Sequence, residues 1–319
     1  MPWRVGLDEA GYGPNLGPLV LSSTACHVPN KAPKCLWRAL SAAVRKHGDE
    51  DDGRVMIDDS KKVNDGPEGL TKLEAGVLTA PALKGAPHAT VREYIATVAI
   101  GDSSDDLGAE PWFHPDDALP AANPPEVLAS IIGILGDASA SAKLLWGPVR
   151  SVVIPATKFN RLLDEWRLKS GVLASGVIKL LNSTLSLPGD DPIYIIVDKL
   201  GGRHFYAPLL NEAFPGGWVR VIREGPERCE YEIEGLGREI HVRFEPRADG
   251  THFNVALASM AAKYLREVCM MQFNRHWVAR LPGLKPTAGY PGDASRFFEE
   301  IRGILSTDGI DERTVWRER

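Results

Sequence analysis

Residues 3–8 alternate weakly between apolar and polar positions and run into Asp8-Glu9-Ala10-Gly11-Tyr12-Gly13-Pro14. Apolar and β-branched residues fill 17–28, which predicts a second strand joined to the first by a glycine-rich turn. Residues 33–47 have the spacing of an amphipathic helix. Ile57-Asp58-Asp59-Ser60-Lys61-Lys62 then reads as a polar turn carrying two adjacent cations. Further on, 149–155 predicts a short strand and 156–185 a helical stretch, with Leu162, Leu163, Trp166, Val172, Leu173, Val177, Leu180 and Leu181 recurring at helix-like spacing. Residues 193–198 are a continuous apolar run of strand length that ends in an acid. Three hairpin strands follow at 219–223, 229–233 and 239–244, then a long helix over 252–274 and a last one over 293–305. Strands interleaved with helices predict an α/β fold.

The stretch from 66 to 146 breaks this pattern. It is rich in Pro, Ala, Gly and Asp, and Pro111, Pro115, Pro120, Pro124 and Pro125 interrupt any long element, leaving room for a short helix within 125–145. It is expected to be an insertion, or a flexible flap, inside a single domain spanning 1–319.

Composition narrows the class. With 44% hydrophobic and 25% charged residues, the chain matches a soluble globular protein. No apolar run approaches the roughly 20 residues of a membrane helix. The N-terminus passes straight into a predicted strand without the apolar core of a signal peptide, so the cytoplasm is the expected location. Cys26, Cys35, Cys229 and Cys269 form no CxxC pair, so free and mostly buried thiols are expected. The net charge of −5 argues mildly against a nucleic-acid partner, but the distribution of charge matters more than its sum.

Four acids stand where strands or turns end: Asp8, Glu9, Asp198 and Asp249. Asp198 is the sharpest, because the carboxyl edge of an α/β sheet is a usual ligand site. Asp249 precedes the long helix, where capping competes with metal ligation. A lone acid at a strand end is more often solvated than catalytic. Carboxylates held together repel unless a cation neutralises them, and hard oxygen donors suit Mg²⁺ or Mn²⁺.

Several of these residues fall into a known order. Gly6-Leu7-Asp8-Glu9-Ala10-Gly11-Tyr12-Gly13-Pro14, continuing to Gly17-Pro18-Leu19-Val20, resembles the opening signature of ribonuclease HII, the type 2 ribonucleases H. Asp59-Ser60-Lys61-Lys62 resembles that family's DSKK turn, and Val197-Asp198 its strand-end acid, with a looser match in Lys199-Leu200-Gly201-Gly202-Arg203. The segment from Asp249 to Glu267 is similar in spacing to the one carrying the family's last acid, and Gly289-Tyr290-Pro291 to its GYP. The likeness covers roughly 3–65 and 147–316 and leaves 66–146 unaccounted for.

The resemblance implies a ribonuclease H-like mixed sheet flanked by helices, with the acids at its centre. It implies that Asp8, Glu9, Asp198 and Asp249 hold two divalent ions, Mg²⁺ or Mn²⁺, and hydrolyse the RNA strand of RNA/DNA hybrids. Cleavage at RNA–DNA junctions, including single ribonucleotides embedded in a DNA duplex, would leave 5′-phosphate and 3′-hydroxyl ends. Gly11, Tyr12 and Gly13 would meet the sugar, Lys61 and Lys62 the phosphates, and Tyr290 the deoxyribose after a ribonucleotide. Lys263 is a further candidate for orienting the site, and Arg203 and His204 for touching the backbone; for each the ordinary alternative is a solvated cation. The family has arginine where this chain has Tyr12. That departure keeps open a ribonuclease HIII-like preference for longer RNA tracts. It also leaves room for a nuclease or hybrid-binding protein on the same fold with relaxed 2′-hydroxyl recognition. A monomer with no membrane partner is the expected state.

Overall fold

A computed structural model describes residues 1–29, 35–83, 85 and 87–318. The chain opens with β1 (Trp3–Ala10) and β2 (Leu19–His27), then α1 (Leu36–Ala39), β3 (Val44–Arg45), β4 (Val55–Met56) and α2 (Ser60–Val63). Four helices follow: α3 (Gly69–Ala82), α4 (Val91–Val98), α5 (Ser103–Gly108) and α6 (Pro125–Ser141). Next come β5 (Leu145–Ile154), α7 (Ala156–Trp166), α8 (Lys169–Ser183), β6 (Ile193–Asp198) and α9 (Ala207–Ala213). The meander β7 (Trp218–Arg223), β8 (Cys229–Glu234) and β9 (Ile240–Glu245) leads to α10 (Phe253–Arg280), α11 (Pro291–Asp308) and α12 (Glu312–Val315).

Seven strands form one sheet in the order β5-β2-β1-β6-β9-β8-β7. β1, β6 and β9 run parallel at its centre, while the outer strands pair antiparallel. Helices flank this mixed sheet, as expected. Odd-numbered β1 side chains (Trp3, Val5, Leu7) join a core with α7, α8 and α9. The opposite face of β1 and β2 carries α10. A Cβ on Gly6 would lie 2.2 Å from the backbone of Asn254 and Val255, so only glycine lets the helix start press against the strand. Thr24 Oγ1 donates to the Asn254 carbonyl at 2.8 Å and fixes the same contact from β2.

The predicted helix over 156–185 is two helices, because Arg167 adopts a left-handed conformation (φ 57°) and ends α7. The amphipathic spacing at 33–47 yields only α1; its first positions lie outside the described residues, and Val44 and Arg45 pair with Val55 and Met56 instead. Residues 66–146 hold more regular structure than their prolines predict, with α3 and α6 reaching 14 and 17 residues. Leu73, Val77 and Leu78 of α3 share a core with Met260 and Tyr264 of α10. Buried Glu74 pins the segment: it accepts from the N–H groups of Ala121, Ala122 and Asn123 and from the Tyr264 hydroxyl.

Cys26, Cys229 and Cys269 are buried, Cys35 is exposed, and all four are free thiols, as the absence of close pairs implied. Among the described residues, no helix is long and apolar enough to cross a membrane.

Candidate active site

Three parallel strands ending at one edge of the sheet bring together acids that are far apart in the chain. Asp8 and Glu9 lie near the end of β1, and Asp198 closes β6. Asp249 sits in the single turn Ala248–Gly250 between β9 and α10. Asp198 Oδ1 accepts from the Ala248 N–H at 2.7 Å, which ties the end of β6 to that turn. Asp8 Oδ1 accepts from the Glu9 N–H at 2.8 Å, and the Ser259 hydroxyl of α10 also bonds the Asp8 carboxylate. Ser259 Oγ in turn lies 2.9 Å from Ser60 Oγ, linking α10 to α2 behind the acids.

Asp249 does not cap α10. The cap position is His252, whose ring pairs with Glu245 at 2.8 Å, while Asp249 Oδ1 accepts from the Gly250 N–H at 2.9 Å. Glu245 stands level with Asp198 in the sheet register. Its hydrogen bond to His252 holds its carboxyl below the usual range, so it is already partnered.

The four acids share one electrostatic condition. Burial raises the Asp8 carboxyl well above its ordinary value, and the charges of Glu9 and Asp198 add to the effect. Burial also lifts Glu9 to about 7, with Asp198 contributing. Asp198 is raised by burial, offset in part by the N–H groups of Ala248 and Lys199. Asp249 rises to about 6 through burial first, then through Asp59 and Asp198. Lys61 is exposed, and its charge lowers both Glu9 and Asp198. A buried carboxylate cluster of this kind is stabilised by added positive charge.

Sequence reasoning missed Asp59 as a member of the cluster. Its side chain hydrogen-bonds Asp249 and accepts from the Lys61 N–H at 2.9 Å as the cap of α2. The signal was present, since an acid directly precedes the Ser-Lys-Lys turn, but a cap residue draws no attention in a linear reading.

Among the described residues, no group of three or more His, Cys, Asp or Glu side chains closes tightly enough to enclose a metal ion. Asp8, Asp198 and Asp249 are each turned towards nearby N–H groups. The donor set is all oxygen, and that chemistry suits Mg²⁺ or Mn²⁺ over softer metals.

The other candidate substrate residues lie on several different elements. Gly11 has φ +87° and leaves no room for a Cβ, which would lie 2.6 Å from the Pro18 carbonyl oxygen. Gly13 is exposed, and nothing stands within 4 Å of where its Cβ would be. Tyr12 between them is half-buried and packs against the core that contains Phe159. Tyr290 caps α11 and is 50% exposed. Its loop is bonded to the Tyr12 loop, because the N–H groups of Asn15 and Leu16 both donate to the Gly289 carbonyl. Lys62 pairs with buried Asp58 at 3.4 Å, and Lys263 pairs with Glu267 at 2.6 Å. Arg203 is half-buried in the loop after Asp198, and His204 Nδ1 lies 3.0 Å from Lys199 Nζ.

No protein-family model matches the sequence, and no curated protein matches it either. Solved structures do. The ribonuclease H2 of Pyrococcus horikoshii OT3 aligns over 98% of this chain and 92% of its own, with 14% identity and a TM-score of 0.45. The RNase HII of Archaeoglobus fulgidus, solved with PCNA, aligns over 99% and 94%, with 15% identity and a TM-score of 0.40. Bst-RNase HIII in complex with Mn²⁺ aligns over 99% of this chain and 65% of its own, with 17% identity and a TM-score of 0.40. Over nearly its whole length, this chain is similar to solved type 2 ribonucleases H.

Proposed function

We propose that this protein is a metal-dependent endonuclease that hydrolyses the RNA strand of RNA/DNA hybrids and cuts at RNA–DNA junctions. The observation that carries the reading is the meeting of Asp8, Glu9, Asp198 and Asp249 at one sheet edge, each with its carboxyl raised by burial. The order of motifs along the chain supports the same reading.

Asp8, Glu9, Asp198 and Asp249 would hold two divalent ions, Mg²⁺ or Mn²⁺. Ions bound there supply Lewis-acid chemistry for in-line attack of water on a phosphodiester, leaving 5′-phosphate and 3′-hydroxyl ends. The protein's own part is positioning. Ser259 orients the Asp8 carboxylate, and the Ala248 N–H orients that of Asp198. Lys61 offers an exposed cation to the strand's phosphates beside the acids. Exposed Gly13 offers main chain to a ribose 2′-hydroxyl, a contact that distinguishes RNA from DNA, while Gly11, its carbonyl held by Arg317, shapes the loop. Tyr290 presents a ring to the neighbouring sugar.

A second reading concerns substrate length. Tyr12 stands in the loop that would meet the ribonucleotide, and a phenol is no guanidinium fork. This favours a preference for longer RNA tracts over single ribonucleotides.

The test is cleavage, in Mg²⁺ or Mn²⁺, of a DNA duplex with one ribonucleotide. A four-ribonucleotide duplex, a full hybrid and an all-DNA duplex run beside it, each repeated with Asp198→Asn. Cutting on the 5′ side of the single ribonucleotide supports junction specificity, and cutting only the longer tracts supports the second reading. Absence of metal-dependent cutting on every substrate refutes the nuclease function, and efficient cutting of all-DNA duplex refutes the 2′-hydroxyl requirement.

A further inference from the structure

We propose that Lys46, seated on Trp37, is a positioning residue for metal binding, which grips the turn Ala248–Gly250 and so sets the Asp249 carboxylate. The inference rests on the nuclease reading and adds residues that the sequence motifs do not assign.

Gly250 is the joint. Its N–H donates to Asp249 Oδ1 at 2.9 Å, and its carbonyl accepts from Lys46 Nζ at 2.9 Å. Glycine has the widest choice of backbone conformations, so a grip on the carbonyl limits how far the N–H can swing from the carboxylate. The turn also needs holding. Arg247, which leads into it, is left-handed (φ 57°), a conformation that a residue with a side chain keeps only where its surroundings impose it. Asp198 holds the turn from β6 through the Ala248 N–H, and Lys46 holds it from the opposite end.

Lys46 is itself placed with care. Its ammonium lies 4.2 Å from the centre of the Trp37 ring, a favourable site for a cation. Trp37 is buried, donates from Nε1 to the Ile57 carbonyl at 2.7 Å, and meets Phe253 of α10 edge to face. Lys46 directly follows β3, and Ile57, just past β4, donates its N–H to the Arg45 carbonyl at 3.0 Å. The next residue, buried Asp58, accepts from the N–H groups of His47 at 3.1 Å and Asp59 at 2.8 Å. Asp59 then hydrogen-bonds Asp249. The β3–β4 ribbon therefore reaches Asp249 twice, through Lys46 to the backbone of its turn and through Asp59 to its carboxylate.

A partner that orients a metal ligand from outside contributes to the affinity for the ion without touching it. Lys46 does this through a hydrogen bond to main chain. Its removal should therefore weaken metal binding through Asp249 and leave the contacts with substrate phosphates as they are.

The experiment titrates Mn²⁺ into the chelator-treated full-length protein and reads the apparent affinity from the rise in thermal midpoint. It compares wild type, Lys46→Met and Lys46→Arg, and repeats Lys46→Met in an Asp249→Asn background. Lys46→Met is expected to weaken Mn²⁺ about tenfold, and Lys46→Arg, which keeps a cationic donor, to recover most of the loss. In the Asp249→Asn background Lys46→Met should have little further effect, because the ligand it serves is gone. The same tenfold loss in both backgrounds would show a general weakening of the fold and overturn the proposal. So would an unchanged Mn²⁺ affinity joined to a fall of about one in the salt slope of hybrid binding, which would place Lys46 on a phosphate instead. Either result leaves the nuclease reading intact. If the wild-type protein binds no Mn²⁺ and cuts no substrate, both fall together.

Discussion

Arg317 Nη2 donates to the carbonyl oxygen of Gly11 at 2.6 Å, across 306 positions of chain. The segment that follows α12 therefore holds the loop that carries Tyr12. Arg317 works beside a second buried arginine, Arg266, which donates to the carbonyls of Pro18, Leu16 and Ala288. Each is 1% exposed. Between them they bind the loop from Gly11 to Pro18 and the carbonyl of Ala288.

The two arginines should respond differently to removal. Arg266→Met leaves three carbonyls without their donor, each costing about 1 kcal/mol or more, so a loss of about 3 kcal/mol is expected. Arg317 has Nε and Nη1 buried with no hydrogen-bond partner among the described residues, and burial holds its pKa well below the ordinary value. Replacing it relieves an under-satisfied cation even as it frees the loop, so Arg317→Met should cost markedly less. Denaturant midpoints at equal m-value compare the two, and an equal or reversed order contradicts this account.

The acidic cluster should trade stability for function. Asp249 is lifted by burial, Asp59 and Asp198, so its charge is unfavourable in metal-free protein. Asp249→Asn should raise the thermal midpoint in chelator by a few degrees and shrink the further rise that Mn²⁺ produces in the wild type. A lower midpoint in chelator with an unchanged Mn²⁺ response would show that Asp249 neither suffers repulsion nor binds metal.

Stability should also depend on pH through Glu110. Its side chain lines a small cavity with Leu107, Trp112, Phe113, Cys269 and Phe273, and burial lifts its carboxyl to about 8. An acid with a raised folded pKa keeps its proton in the native state while the unfolded chain has released it. Its contribution to stability is therefore fully present below the ordinary glutamate range, declines as pH rises and levels off above about 8. The slope is at most about 1.4 kcal/mol per pH unit. Glu110→Gln should flatten the decline relative to wild type between pH 5 and pH 8 (roughly the window between the unfolded and folded pKa values). Parallel curves for the two proteins would mean that Glu110 ionises normally.

Local pattern made much of this fold legible. The continuous apolar run at 193–198 is a central strand, but only Ile193, Ile195 and Val197 are buried, while Tyr194 on the other face is exposed. The small-residue face of 252–274 gave the long helix its place, because Ala256, Ala258, Ala261 and Ala262 are what close packing requires. Local pattern failed where long-range partners decided the outcome. Val44 and Arg45 left a helical spacing to pair with Val55 and Met56, and Arg167 turned left-handed within an apolar repeat that looked unbroken. The proline-rich stretch gained its order from Glu74, which collects N–H groups from 121–123.

The candidate site divides in the same way. Chemistry and order belonged to the sequence: acids at strand ends, glycines around Tyr12, and the turn with Lys61 and Lys62. Proximity did not. Asp8 and Asp249 both come near Asp198 because β1, β6 and β9 run parallel and end at one edge, a relation set by pairing between strands far apart in the chain. Asp59 beside Asp249, Lys169 over Tyr12 and Arg317 under Gly11 have no signature in a linear pattern. Side-chain type and spacing along the chain are local properties, whereas the separation of charges in space exists only once the sheet and its helices have packed.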